Sequence, residues 1–172
     1  MMSALLGCRK MTDTLSSKPF NSSLETGIRA LIVLVASYPQ ALDLQRMVDY
    51  DYLVVHSGDV GGPDSLHPPL PMRASELLVR REIIEAGLLL MMSKGLVVRL
   101  PSETGIRYMA TDSASPFVAS FSSKYLKELQ HRAMWAIDEF GSKSSEELRE
   151  IMTGFFDSWT SEFHPIQGLG FS

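Results

Sequence analysis

Side chains able to bind a metal or move a proton are densest in one stretch, HSGDVGGPDSLHPPLPMR, at residues 56–73. His56, Asp59, Asp64 and His67 all fall inside it. Imidazole and carboxylate at that density could ligate a divalent metal. A structural or catalytic metal also needs ligands held in fixed geometry. Gly58-Asp59 and Pro63-Asp64 are instead turn chemistry in a segment with no rigid helix. Turn chemistry is therefore the stronger reading, and no metal ligand is assigned. Gly58, Gly61 and Gly62 are not followed by the Lys-Ser/Thr of a phosphate loop. A Gly-x-Ser-x-Gly elbow is absent, and Cys8 has no evident histidine partner. His131 and His164 read as solvent-facing. The expectation is a protein that is not an enzyme and carries no cofactor.

A second set of residues is basic. Arg73, Arg80, Arg81 and Lys94 surround the third expected helix, and Arg99 and Arg107 lie in an expected hairpin. In a winged helix these are the elements that touch DNA. Each also has a plainer explanation, because Arg81 faces Glu85 at i,i+4 and Arg80 sits one turn from Glu76. A third set is apolar: Val79, Ile83 and Leu90 on one side of the third helix, and Met134 and Trp135 off the main apolar face of a later one. Large apolar side chains in such places point to a partner surface, although Met134 and Trp135 could equally meet the final helix of the same chain.

The elements that must position these residues follow from periodicity and punctuation. Ser22-x-x-Glu25 is a capping box, after which Leu24, Ile28, Leu31, Leu34, Val35 and Tyr38 recur at helical spacing until Pro39. A second helix starts near Leu42 with Leu44, Met47, Val48 and Tyr52 on one side. Leu53-Val54-Val55 could finish it or form a short strand. Residues 56–73 make a Gly/Pro connection that could also simply pack over the domain, anchored by Leu66 and Leu70.

The third helix, residues 74–93, has two apolar faces at 100° spacing. Leu77, Ile84, Leu88 and Met91 lie on one side, and Val79, Ile83, Ala86 and Leu90 nearly opposite. The expectation is burial on both sides, by the rest of the fold or by another chain. Gly95 ends it, and residues 96–100 and 106–110 flank a short Gly-containing turn as a β-hairpin. Ser115-Pro116 opens a long helix reaching Phe140, and Ser144-x-x-Glu147 caps a final one carrying Leu148, Ile151, Met152, Phe155, Phe156, Trp159 and Phe163.

The predicted fold is mainly α with a small β-hairpin: a winged-helix-like core plus two C-terminal helices. Residues 1–21 form an arm, 22–112 the winged-helix-like domain, 113–163 the helical pair and 164–172 a tail. The chain has 172 residues, 45 % hydrophobic and 21 % charged, which is the composition of one globular domain. Its net charge of −4 argues against a chain that grips nucleic acid alone through a broad surface. A single cysteine fits a reducing compartment, and the longest apolar run, 30–36, is far too short to cross a bilayer. A cytoplasmic protein without a membrane partner is expected.

The block at residues 42–97, with DYLVVHSGD and SLHPPLP followed by ELLVRRE and GLLLMMSKGLV, resembles the middle component of bacterial ABC-three-component systems. It is similar to the small third subunit of the overlapping Lamassu antiphage defence systems. That resemblance implies a non-enzymatic accessory subunit bound to an SMC-like ATPase. It also implies a separate effector, often a nuclease, with DNA contacted mainly through the complex. It brings no catalytic residues to carry over. A free-standing winged-helix DNA-binding regulator is the alternative.

Overall fold

The computed structural model of the chain describes residues 22–68 and 73–162, with side chains from 22 to 68 and from 79 to 155. The expected arm 1–21, tail 164–172 and anchor Leu70 lie outside the described residues. Among the described residues, six α-helices and a small antiparallel sheet follow in the order α1 (Ser23–Ser37), β1 (Leu42–Asp43), α2 (Leu44–Val55), α3 (Arg73–Ser93), β2 (Val97–Ser102), β3 (Gly105–Ala110), α4 (Ala114–Ala119), α5 (Lys124–Phe140) and α6 (Ser145–Glu162). The chain is therefore mainly α with a small β element, as its periodicity predicts.

Local chemistry sets most of the boundaries. The Ser22 hydroxyl accepts from the Glu25 amide at 3.2 Å, and the Glu25 carboxylate accepts from the Ser22 amide at 3.3 Å. These bonds satisfy two orphan donors at the start of α1. Ser144 and Glu147 repeat the device at the start of α6, at 3.1 and 2.6 Å. Gly95, at φ 70°, takes the left-handed conformation that ends α3 and turns the chain into β2.

Two boundaries differ from expectation. Leu42 does not begin α2. It joins the sheet opposite Tyr108, while Asp43 stays extended and its carboxylate accepts from the Arg46 amide at 2.8 Å. The helix thus starts one residue after its own cap, and Leu53, Val54 and Val55 complete it. The long helix expected from Ser115 to Phe140 is broken in two. Ser120, Ser122 and Ser123 fall together between Ala119 and Lys124, and serine prefers caps to helix interiors. The Ser120 hydroxyl bonds back to the Phe117 carbonyl at 2.7 Å, and the Ser123 hydroxyl accepts from the Leu126 amide at 3.2 Å to open α5.

The sheet has the order β1-β3-β2, all antiparallel. Its inner face supplies Val97, Tyr108 and Ala110 to a core built from α1, α2, α3 and α5, with Leu31, Leu34, Leu53, Val54, Ile84, Leu88, Leu129 and Ala136 at its centre. Helices α1 and α3 cross at Gly27 and Gly87. A Cβ on Gly87 would lie 2.7 Å from the Gly27 nitrogen, so the two backbones nearly touch.

The helix enclosed on all sides is α2, because every residue from Met47 to Val55 is buried. The expectation of a doubly buried α3 fails within the chain. Ile84, Leu88 and Met91 pack inward, while Val79 is 61 % and Leu89 55 % exposed. Ala86 is also exposed, and Ile83 and Leu90 are half-buried. From Val79 onward, one side of α3 is open in the isolated chain.

Candidate functional site

The recognisable block at residues 42–97 supplies a buried polar cluster. On α2, i to i+2 spacing turns Asp49 and Asp51 to nearly opposite sides of the helix. Asp51, 1 % exposed, points between α1 and α3 and is gripped by two guanidinium groups. Arg29 Nε of α1 donates to Asp51 Oδ1 at 2.8 Å, and Arg80 Nη1 of α3 donates to Asp51 Oδ2 at 2.6 Å. Arg29 also donates to the Thr26 hydroxyl at 3.2 Å. Burial pushes the Asp51 carboxyl up, and the two cations more than reverse that, so its pKa lies below the ordinary carboxylate value. Burial lowers the Arg29 pKa, and Asp51 more than restores it. Asp51 and Arg29 are therefore both charged at neutral pH.

An aromatic and imidazole layer extends the cluster. The Arg80 guanidinium stands 5.7 Å from the Tyr52 ring centroid, and the Tyr52 hydroxyl donates to Asp59 Oδ2 at 2.7 Å. The buried His56 ring lies 4.7 Å from Tyr52 and meets His67 edge-on at 6.1 Å. His67 Nε2 bonds the Tyr125 hydroxyl of α5 at 2.9 Å. Burial, and then the charges of Arg29 and Arg80, lower the His67 pKa to about 4, so this imidazole is neutral at pH 7. Burial raises the Tyr125 pKa.

The connection after α2 is correspondingly fixed up to Pro68. It opens with a 3-10 turn at Ser57–Val60. The Leu66 and His67 amides both donate to the Val55 carbonyl at 3.0 Å, and Arg132 of α5 donates to the Asp64 carbonyl at 3.1 Å. Thus His56, Asp59 and His67 are brought together around Tyr52 and Tyr125, while Asp64 serves through its backbone on another side. Among the described residues no group of three or more His, Cys, Asp or Glu side chains is placed to hold a metal ion.

The expected basic set scatters. Arg80 is turned inward, 7 % exposed, and pairs with the buried Asp51; the Glu76 side chain lies outside the described residues. The Arg73 side chain lies outside the described residues. Arg81, Lys94, Arg99 and Arg107 are exposed. Arg99 pairs with Tyr108, and Arg107 with Leu100. Successive strand residues alternate, so Arg99 and Arg107 occupy opposite faces of the hairpin.

The expected partner set divides too. Val79 and Met134 are exposed, at 61 % and 58 %, and Ile83 and Leu90 are half-buried. Trp135 is half-buried against its own chain: its indole stands edge-on to Phe140 at 5.8 Å, and a Cβ on Gly62 would run into it. Asp51, Arg29 and Tyr125 were absent from the sequence-derived candidates. Only the charged Asp51 amid the apolar run of α2 could have marked the cluster from sequence.

The geometry describes a class of protein: a helical domain whose polar motif is spent on its own interior and whose third helix leaves Val79, Ala86 and Leu89 uncovered beside Glu82 and Glu85. Residues 19–162 match the family model "ABC-three component (ABC-3C) system Middle Component 2". The chain belongs to that family and is a component of a multi-component system. Searches of curated proteins and of solved structures gave no match. Among the described residues, no helix is long and apolar enough to cross a membrane.

Proposed function

We propose that this chain is a non-enzymatic accessory subunit of a Lamassu-type antiphage defence complex. It binds an SMC-like ATPase and bridges it to an effector such as a nuclease, in the cytoplasm, and DNA reaches it mainly through the assembly. The observation that carries the reading is the open side of α3, where Val79, Ala86 and Leu89 face solvent beside half-buried Ile83 and Leu90. A side chain set of this kind, continuous along a helix, is what a subunit interface uses. Membership in the middle-component family supports the existence of protein partners. The motif residues Asp51, Tyr52, His56, Asp59, His67 and Arg80 engage one another, which fits a part that holds a shape better than one that turns over a substrate.

The order helix–strand–helix–helix–strand–strand, with sheet order β1-β3-β2, supports a winged-helix description. It also favours the second reading, a free-standing DNA-binding regulator whose contacts would be Arg81, Lys94, Arg99 and Arg107. The outward side of α3 weighs against that reading, since Glu82 and Glu85 are exposed there and would meet phosphate with like charge.

Co-expression with the other two components of the system separates the readings. The accessory role predicts a stable co-purifying complex and weak DNA binding by the isolated chain. Tight, salt-sensitive DNA binding by the isolated chain, lost on Arg81→Ala with Arg99→Ala, supports the regulator instead. A monodisperse monomer that ignores both other components rules out the accessory role.

A further inference from the structure

We propose that the open side of α3 seats a helix of a partner subunit, and that this helix presents apolar side chains around one arginine or lysine aimed at Glu82. The inference rests on the accessory-subunit reading and adds the chemistry of the partner. Residues three, four and seven apart share a helix face. Glu82 therefore lies among Val79 three residues before it, Ala86 four after and Leu89 seven after, all of them exposed. Ile83 and Leu90, half-buried, form the border toward the core.

No cation of α3 shares this patch from Val79 onward. Arg80 turns inward to Asp51, and Lys94 lies just beyond the last turn. Arg81 and Glu85, both exposed, stand one turn apart at i,i+4 along the edge of this side. Glu85 has Arg81 within reach on its own helix, whereas Glu82, flanked by Val79, Glu85 and Ala86, has no cation three or four residues away.

The occupant follows from that position. Covering Val79, Ala86 and Leu89 removes Glu82 from water, and a desolvated carboxylate is costly unless a cation with good geometry meets it. Nucleic acid brings only more negative charge. A stripe at 79, 83, 86 and 90 has the i, i+4, i+7 spacing that accepts the ridges of another helix. Arginine fits best, because its fork can engage both carboxylate oxygens.

The test uses the whole chain and the purified complex of the other two components as the probe. Binding is measured by interferometry for the wild type, Glu82→Arg, Glu82→Gln and Val79→Glu, with Arg107→Ala on the hairpin as a control. Thermal unfolding checks that each exposed substitution leaves the fold intact. Glu82→Arg is expected to weaken binding about thirtyfold or more, the range for a desolvated charge losing its partner. Val79→Glu is expected to act in the same direction. Affinity should fall with added salt for the wild type and fall less for Glu82→Gln. Folded Glu82→Arg that binds like the wild type overturns the inference while leaving the accessory role standing. Failure of the wild type to bind removes both. A dimer of the isolated chain that Val79→Glu dissociates would give this side to a second copy, and overturns the proposal as well.

Discussion

Replacing Asp51 by Asn should be among the most damaging single changes the chain can suffer. The side chain is 1 % exposed and is the shared acceptor of Arg29 at 2.8 Å and Arg80 at 2.6 Å. Both cations are themselves buried, at 3 % and 7 % exposure. An amide keeps the shape, offers one carbonyl oxygen and turns an NH2 toward a guanidinium that needs an acceptor. Breaking a buried ion pair from one side costs about 3–5 kcal/mol, because the remaining charge stays buried. That is a large part of the roughly 5–15 kcal/mol that holds a domain together. Urea unfolding followed by circular dichroism at pH 7 should show the loss, together with a fall in Tm of about 6–20 °C. The sign with pH is fixed by the direction of the Asp51 shift. Its folded pKa lies below the ordinary 3.8, so its stabilisation is present above that value and is lost as pH falls through the folded pKa. The two proteins should therefore converge only in strong acid. A loss under about 1 kcal/mol at pH 7 would refute the reasoning, since it would mean that Arg29 and Arg80 find water or another acceptor without cost.

Other substitutions read neighbouring parts of the fold. Gly87→Ala forces apart two helices whose backbones nearly touch at Gly27, and should cost about 1–3 kcal/mol in chemical unfolding. Gly154→Ala on α6 meets nothing within 4 Å and should stabilise the chain by about 0.5–1 kcal/mol. Asp49 is buried on α2, and burial raises its pKa from 3.8 to about 6 despite the bond from Gln45. A raised folded pKa contributes stability below 3.8 that disappears as pH rises through 6, so Asp49→Asn should gain on the order of 1 kcal/mol at pH 8 and nothing at pH 4. His67 titrates the opposite way: its pKa is lowered from 6.5 to about 4. Protons bind the unfolded chain preferentially between those values, stability should fall as pH drops from 6.5 to 4, and His67→Gln should flatten that slope in a pH series of unfolding curves.

Much of the fold was legible because its boundaries are written in local chemistry. Ser22 with Glu25, Ser144 with Glu147, and Gly95 each have one backbone use, and each is found in it. The hairpin followed from two β-prone runs about a short turn. The break at Ser120–Ser123 was hidden because Val118, Phe121, Tyr125 and Leu129 keep helical spacing straight across it. Which helix lies innermost was hidden for a deeper reason. Helix α2 carries Arg46, Asp49, Tyr50 and Asp51 and reads as half-exposed, yet the Asp51 carboxylate is buried because Arg29 and Arg80 arrive from distant parts of the chain. Helix α3 has two apolar faces and reads as enclosed, yet one side faces solvent from Val79 onward. Polar residues are buried when paired, and pairing across dozens of residues leaves no periodic trace. The same holds for the site: His56, Asp59 and His67 were visible as a group, whereas their organisers, Tyr52 and Tyr125, were not.

The central claim is that the exposed side of α3 becomes covered when the system assembles. Hydroxyl-radical footprinting of the isolated chain and of the assembled three-component complex measures this directly, residue by residue. Protection should appear at Val79 and Leu89 on assembly, with Ile32 and Leu34 in the core unreactive in both states. Val79 and Leu89 remaining as reactive in the complex as in the isolated chain would contradict it.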